Sequence, residues 1–144
     1  MYTSILAIAL LIGSSLSVSA QIQPTFLSHP TLSPDAKTIV FSYEGDLWKV
    51  PSAGGAALRL TAMQGNEVMP RISPDGKWLA FSSNQNGNMD VYVMAMEGGD
   101  IKQLTHHESA DELDSWSWDS ETLYFTSGRE NRFSSYKVAR DGGT

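Results

Sequence analysis

His29-Pro30-Thr31-Leu32-Ser33-Pro34-Asp35 returns forty residues later as Met69-Pro70-Arg71-Ile72-Ser73-Pro74-Asp75, and a looser copy follows as Asp114-Ser115-Trp116-Ser117-Trp118-Asp119. An apolar run comes after each copy, at 38–41, 77–81 and 122–125. Then Asp46-Leu47-Trp48 matches Asp90-Val91-Tyr92 and Ser134-Ser135-Tyr136. The glycine pairs Gly54-Gly55, Gly98-Gly99 and Gly142-Gly143 follow, and Leu60-Thr61 matches Leu104-Thr105. The glycine pairs are 44 residues apart both times, whereas Ser33, Ser73 and Ser117 are spaced by 40 and 44. The difference falls between Phe41 and Asp46, where the later copies carry longer loops. Landmarks that keep their order on both sides of one loop-length change define a structural repeat.

Each repeat reads as β. Runs rich in Val, Ile, Phe, Tyr and Trp are bounded by Pro-Asp-Gly, Asn-Gly and Gly-Gly, and Asp75-Gly76 suits a tight turn. The second copy predicts four strands, over 70–73, 77–83, 90–96 and 100–105. Trp78-Leu79-Ala80-Phe81 and Val91-Tyr92-Val93-Met94 are apolar on both faces, as in a sheet packed between two neighbours. Four-stranded units of this length, covered on both sides, are blades of a β-propeller. The expected fold is therefore all-β, a partial propeller of about three antiparallel blades over 26–64, 65–108 and 109–144. By the same period the next Leu-Thr pair is due just past Thr144, so the last blade is expected to be incomplete and the chain a piece of a longer protein. Such a piece exposes an apolar sheet face and an unpaired strand edge, both of which favour association, a homo-oligomer included.

Residues 1–20 stand apart from the repeats. An unbroken apolar run over 5–12 leads to Gly13-Ser14-Ser15 and then Val18-Ser19-Ala20. This is the pattern of a secretory signal cut after Ala20, the alternative being a buried N-terminal helix. It is shorter than the roughly 20 apolar residues that span a bilayer. The expected location is therefore secreted or periplasmic, with no membrane span after cleavage. With no cysteine, neither a lipid-anchored cysteine nor a disulfide framework is available, and packing and strand pairing must hold residues 21–144. The net charge of −6 falls wholly in that part. Its scattered Lys and Arg exclude a phosphate-binding stripe, so nucleic acid is not an expected partner.

The first repeat resembles the opening of the exported tricorn-type serine proteases. The resemblance rests on Ser28-His29-Pro30-Thr31-Leu32-Ser33-Pro34-Asp35, on Glu44-Gly45-Asp46-Leu47-Trp48-Lys49-Val50-Pro51, on Ala53-Gly54-Gly55 and on Arg59-Leu60-Thr61. It runs from about Phe26 to the end. The plainer pattern of Ser-Pro-Asp-Gly-Lys with later Gly-Gly and Leu-Thr is shared with TolB, the periplasmic translocation protein. Propellers of prolyl-oligopeptidase-like enzymes and of some amidohydrolases share it too. The resemblance implies a propeller that guides or filters peptides for a nucleophile in a separate C-terminal domain. None of that domain is present, so it implies no catalytic residue here. The partners implied are a peptide or unfolded-protein substrate and the protease domain. The alternative is a non-enzymatic, TolB-like interaction propeller.

The residues themselves offer few candidates for chemistry. His106-His107-Glu108, with Asp111, Glu112 and Asp114, is the one cluster of metal-ligand types. Adjacent histidines on an extended chain point to opposite faces, and zinc wants convergent ligands, so a polar loop between blades is the expected reading. Asn84-Gln85-Asn86-Gly87-Asn88-Met89-Asp90 is similar to an oxygen-ligand loop but lacks a terminal Glu; an Asn-Gly turn is expected instead. No Gly-x-Ser-x-Gly elbow occurs. Ser33, Ser73 and Ser117 recur at equivalent turns, which assigns them to structure, and His29 has Met69 and Leu113 at its equivalent positions. Trp48, Tyr92 and Tyr136 are expected to pack between blades. Trp116 and Trp118 are expected in the core, with a peptide channel as the other use. No catalytic, metal or cofactor-binding residue is expected, and no cofactor.

Overall fold

The computed structural model describes residues 26–130 and 134–143; the signal sequence expected at 1–20 lies outside them. Among the described residues there are eleven strands and no helix. They are β1 (Ser28–Leu32), β2 (Thr38–Tyr43), β3 (Asp46–Pro51), β4 (Leu58–Arg59), β5 (Glu67–Ile72), β6 (Trp78–Ser83), β7 (Asp90–Ala95), β8 (Lys102–Gln103), β9 (Asp111–Trp116), β10 (Thr122–Ser127) and β11 (Ser134–Ala139). They form three antiparallel sheets in chain order, β1-β2-β3-β4, β5-β6-β7-β8 and β9-β10-β11. The first strands of successive sheets lie together, β1 against β5 and β5 against β9, and the fourth strands lie at the far edges. The described residues thus make an open arc of blades, an all-β partial propeller.

The repeated serine turn has a physical cause that recurs three times. Ser33, Ser73 and Ser117 each donate their hydroxyl to the aspartate two residues on, Asp35 (2.7 Å), Asp75 (2.5 Å) and Asp119 (2.5 Å). Each also accepts the amide five residues on, from Thr38, Trp78 and Thr122. The aspartate closes the turn by accepting the amides of Lys37, Lys77 and Glu121. The tip residue is left-handed: Gly76 at φ 75°, but Ala36 at 58° and Ser120 at 63°. Glycine adopts that conformation without strain; the other two do so because the serine–aspartate bonds over-determine the turn.

Two expected boundaries move. The first strand of the second sheet begins at Glu67, ahead of Pro70, because Glu67 pairs with Ser83 and the chain then bulges between Val68 and Arg71. Met69, at φ 54°, carries that bulge, and β1 bulges likewise at His29, φ 51°. A proline inside a strand is tolerated where a bulge removes the need for its missing N–H. The fourth strand shrinks to Lys102–Gln103, because the Thr105 hydroxyl, not a backbone carbonyl, takes the Val91 amide at 2.9 Å.

The two-sided apolar strands are explained by stacking. Leu79, Phe81, Tyr92 and Met94 face the first sheet and meet Val40 and Leu47. Ala80, Val91 and Val93, on the other face, meet Leu113, Leu123 and Phe125 of the third sheet. Tyr92 is 1 % exposed, stacked on Phe81 across the ladder at 5.7 Å, and Tyr136 stacks on Phe125 at the same distance. Trp48 instead meets Tyr43 edge-on at 5.9 Å. Burying such side chains contributes about 1.5–3 kcal/mol each.

The two tryptophans divide: Trp116 packs against the core between the second and third sheets, as expected, and Trp118 does not. Trp116 is half-buried and its indole N–H donates to the Arg71 carbonyl across the blade joint at 2.9 Å. Trp118 is 95 % exposed. It holds the place of Pro34, which is exposed too, and among the described residues no sheet follows the third. The outward face of the third sheet is also polar: Tyr124, Ser135 and Lys137 stand where the second sheet has Ala80, Val91 and Val93.

Candidate functional site: the blade joints and the inner strands

The Leu-Thr pair noted in the sequence acquires its chemistry at the joints between sheets. Thr61 Oγ1 accepts the Leu47 amide (2.8 Å) and donates to Glu67 Oε2 of the next sheet (2.9 Å). Ser83 donates to Glu67 Oε1 at 3.2 Å. Beside them Arg59 pairs with Asp46 at 2.6 Å, and its Nε donates to the Thr61 carbonyl. In the second joint Thr105 Oγ1 accepts the Val91 amide and donates to Asp90 Oδ1 at 3.1 Å. Gln103 stands where Arg59 stood and reproduces both of its bonds, to Asp90 Oδ2 (3.0 Å) and to the Thr105 carbonyl (2.8 Å).

Gln103 carries no charge, and the cation of the second joint comes from the other side. Arg129 holds both oxygens of Asp111 at 2.9 and 2.7 Å and lies over the Tyr136 ring at 4.7 Å. Each joint therefore contains two carboxylates and one arginine. Asp46 and Asp111 are ion-paired; Glu67 and Asp90 are held by hydroxyl and amide donors. Burial pushes the Glu67 carboxyl up, against the pull of the Thr61 and Ser83 hydroxyls and with a further push from Asp46. Burial pushes Asp90 up as well, against the Thr105 hydroxyl and with a push from Asp111. The Tyr92 phenol is raised by burial first and by Asp90 and Glu67 after it.

The metal-ligand types between His106 and Asp114 do not converge. His107 Nδ1 accepts the Ser109 amide (3.0 Å), Asp111 is committed to Arg129, and Asp114 accepts the Thr126 hydroxyl (2.8 Å). Among the described residues no three such side chains could hold one ion. The Asn84–Asp90 loop spends its groups internally. Asn84 accepts the Asn66 amide, Asn86 donates to Tyr92 and Gln103, and Asn88 donates to the carbonyls of His107 and Ser109. Gly87 donates to the Asn84 carbonyl within the expected turn.

The inner wall is formed by β1, β5 and β9. His29, Pro30 and Leu32 are exposed on β1, and Glu112, Asp114 and Ser115 on β9. Arg71, the one arginine or lysine on these strands, donates to the Asp114 carbonyl at 2.9 Å and ties the second sheet to the third. At the outer side of the second joint a cleft of about 690 Å³ gathers Lys102, His106, His107, Arg129 and Lys137. Lys102 spans it to the Asp141 carbonyl.

Sequence reasoning picked out Asp46, Asp90, Thr61 and Thr105 as repeat landmarks but not Glu67 or Arg129, nor that these groups meet. A signal was present, since acids recur 44 residues apart at Asp46 and Asp90 and at Glu67 and Asp111, each at the start of a strand.

A family described as the tricorn protease N-terminal β-propeller domain matches residues 24–144. Tricorn protease homolog 1 of Streptomyces coelicolor is 35 % identical over 109 residues, covering 75 % of this chain and 10 % of that protein. The chain thus spans about a tenth of that relative's length. In solved structures, TolB from Acinetobacter baumannii superposes with a TM-score of 0.69 at 21 % identity over 81 % of this chain and 31 % of that one. The tricorn protease superposes with a TM-score of 0.62 at 19 % identity over 77 % and 13 %. These last two likenesses speak for the fold alone; the family match says more, and by it this chain belongs to the tricorn protease N-terminal β-propeller family.

Proposed function

We propose that these blades are the substrate-guiding propeller portion of an exported, tricorn-like serine peptidase. The observation that carries this reading is the family match across 24–144. Nucleophile and base are supplied by a separate domain of the same polypeptide, and the blades guide or filter peptides and unfolded chains on their way to it. The inner strands suit that task. Their exposed groups mix apolar Pro30 and Leu32 with polar His29, Glu112, Asp114 and Ser115, and Arg71 is able to hold a peptide carbonyl or carboxylate through the donors it does not spend on Asp114 and Pro70. The signal-like sequence pattern of residues 1–20 supports a secreted or periplasmic location.

The test is casein hydrolysis by the intact protein, with and without a serine-directed covalent inhibitor. Inhibitor-sensitive hydrolysis by the intact protein, and none by residues 21–144 alone, is the expected result. An intact protein without a peptidase domain and without hydrolysis would overturn it. The second reading, a non-enzymatic interaction propeller, is favoured by the superposition on TolB. It predicts an inactive protein that retains a specific protein partner on affinity purification.

A further inference from the structure

We propose that the blade joints are proton-operated clamps: each holds two buried carboxylates against one arginine, and the carboxylate left without an arginine takes up a proton on acidification and tightens the contact between sheets. The two joints use the same parts in opposite placement: Glu67 reaches across from the second sheet to Thr61, whereas Asp90 is bonded by Thr105 and Gln103 of its own sheet and meets Asp111 across the joint. Glu67 is 0 % exposed and Asp90 2 %. Each is bonded by a threonine hydroxyl that has already accepted a strand amide, Leu47 for Thr61 and Val91 for Thr105. That hydroxyl has one proton to give and gives it to the carboxylate, so the oxygen it meets is an acceptor. The second oxygen faces Ser83 in the first joint and the Gln103 amide in the second. The Ser83 hydroxyl can turn to accept, so the first site accommodates a protonated acid without repacking. In the second the Gln103 amide is held by Asn86 and the Thr105 carbonyl, and the proton sits on whichever Asp90 oxygen that amide does not bond.

The charges around each group do not supply a second arginine; His106 is the one further cation, and it pulls on Asp90 less than burial and Asp111 push. Glu67 faces Asp46 from β3 and Arg59 from β4, and Arg59 already holds Asp46. Asp90 faces Asp111 from β9, His106 from the segment after β8, and Arg129, which Asp111 holds. A second carboxylate charge in such a place has no arginine of its own, and burial makes it costly. Both groups are raised by burial. A carboxyl whose folded value lies above its unfolded one contributes stability that is fully present below the unfolded value and is lost as pH rises through the folded value. The joints are therefore tightest in acid.

The test compares the intact protein with its Glu67→Gln and Asp90→Asn variants by hydrogen exchange, read by mass spectrometry on segments covering β3–β4 and β7–β8. Comparing proteins at one pH cancels the intrinsic rate. At pH 7 each variant should exchange several-fold more slowly than wild type in its own joint, and at pH 4 the difference should vanish. A difference that does not change between pH 7 and pH 4, or faster exchange in both variants at pH 7, would overturn the proposal. If one variant fails to fold, the other still decides it. A selective carbon-13 titration of the Glu67 carboxyl decides it as well: a midpoint at or below 4.5, the ordinary glutamate value, refutes the clamp.

Discussion

Replacing Arg129 by alanine removes the single arginine of the second joint while leaving Asp111 in place. The Asp111 side chain is 0 % exposed, and among the described residues its two oxygens are bonded by the guanidinium alone, at 2.9 and 2.7 Å. Removing one partner of such a buried pair costs about 3–5 kcal/mol, because the remaining charge has no water to return to. The guanidinium also covers Tyr136 at 4.7 Å and Phe125 at 5.4 Å, which adds about 0.5–1 kcal/mol for each ring at a partly exposed position. The Arg129 side chain keeps 24 % of its surface, and residual hydration of Asp111 through that opening holds the expected total near the lower end, about 4 kcal/mol. Urea unfolding of the intact protein, with hydrogen exchange over β9–β11, measures it. Adding Asp111→Asn should restore most of the loss, since the stranded charge goes with it. A loss below about 1 kcal/mol for Arg129→Ala would refute the reasoning, as that is the size expected of a surface pair. Failure of Asp111→Asn to rescue would refute it equally.

Two further outcomes follow from the turns. Ser73 is fully buried and makes two bonds through its hydroxyl, so Ser73→Ala should destabilise by about 1–3 kcal/mol, and Ser117→Ala, in a more exposed turn, by less; paired urea titrations compare them. Asp75 is held below its ordinary value, chiefly by the Ser73 hydroxyl, so its contribution is present above the unfolded value and lost as pH falls. The difference in Tm between wild type and Asp75→Asn should therefore shrink as pH is lowered from 7 to 3. This is opposite in sign to the behaviour of Glu67.

The blade architecture was legible because it is written locally and three times. The serine, the aspartate and the amide five residues on all belong to one turn, so their spacing is visible in one dimension. The glycine pairs and the apolar runs are equally local. The joints were not legible in the same way. Thr61 reaches Leu47 across fourteen residues and Glu67 across a sheet boundary; the repeat showed that Leu-Thr mattered without showing what the hydroxyl touched. Trp118 was misplaced for a related reason. It sits in the serine turn, where the equivalent Pro34 is exposed as well, and an aromatic side chain does not by itself show that its turn faces solvent. The bulges at His29 and Met69 were hidden because the proline after each suggested a strand start.

The exchange of Arg59 for Gln103, with Arg129 arriving from the opposite side, has a consequence for assembly. Repeats this similar risk stacking in the wrong order, or on the same repeat of another molecule. The middle sheet brings Glu67 to one neighbour and Asp90 to the other, and its joint positions carry no arginine. Two middle sheets placed face to face would bury a pair of anions with no counter-charge. The correct order gives every joint its arginine, so the uneven placement of one cation acts as an address that tells otherwise interchangeable blades where they belong.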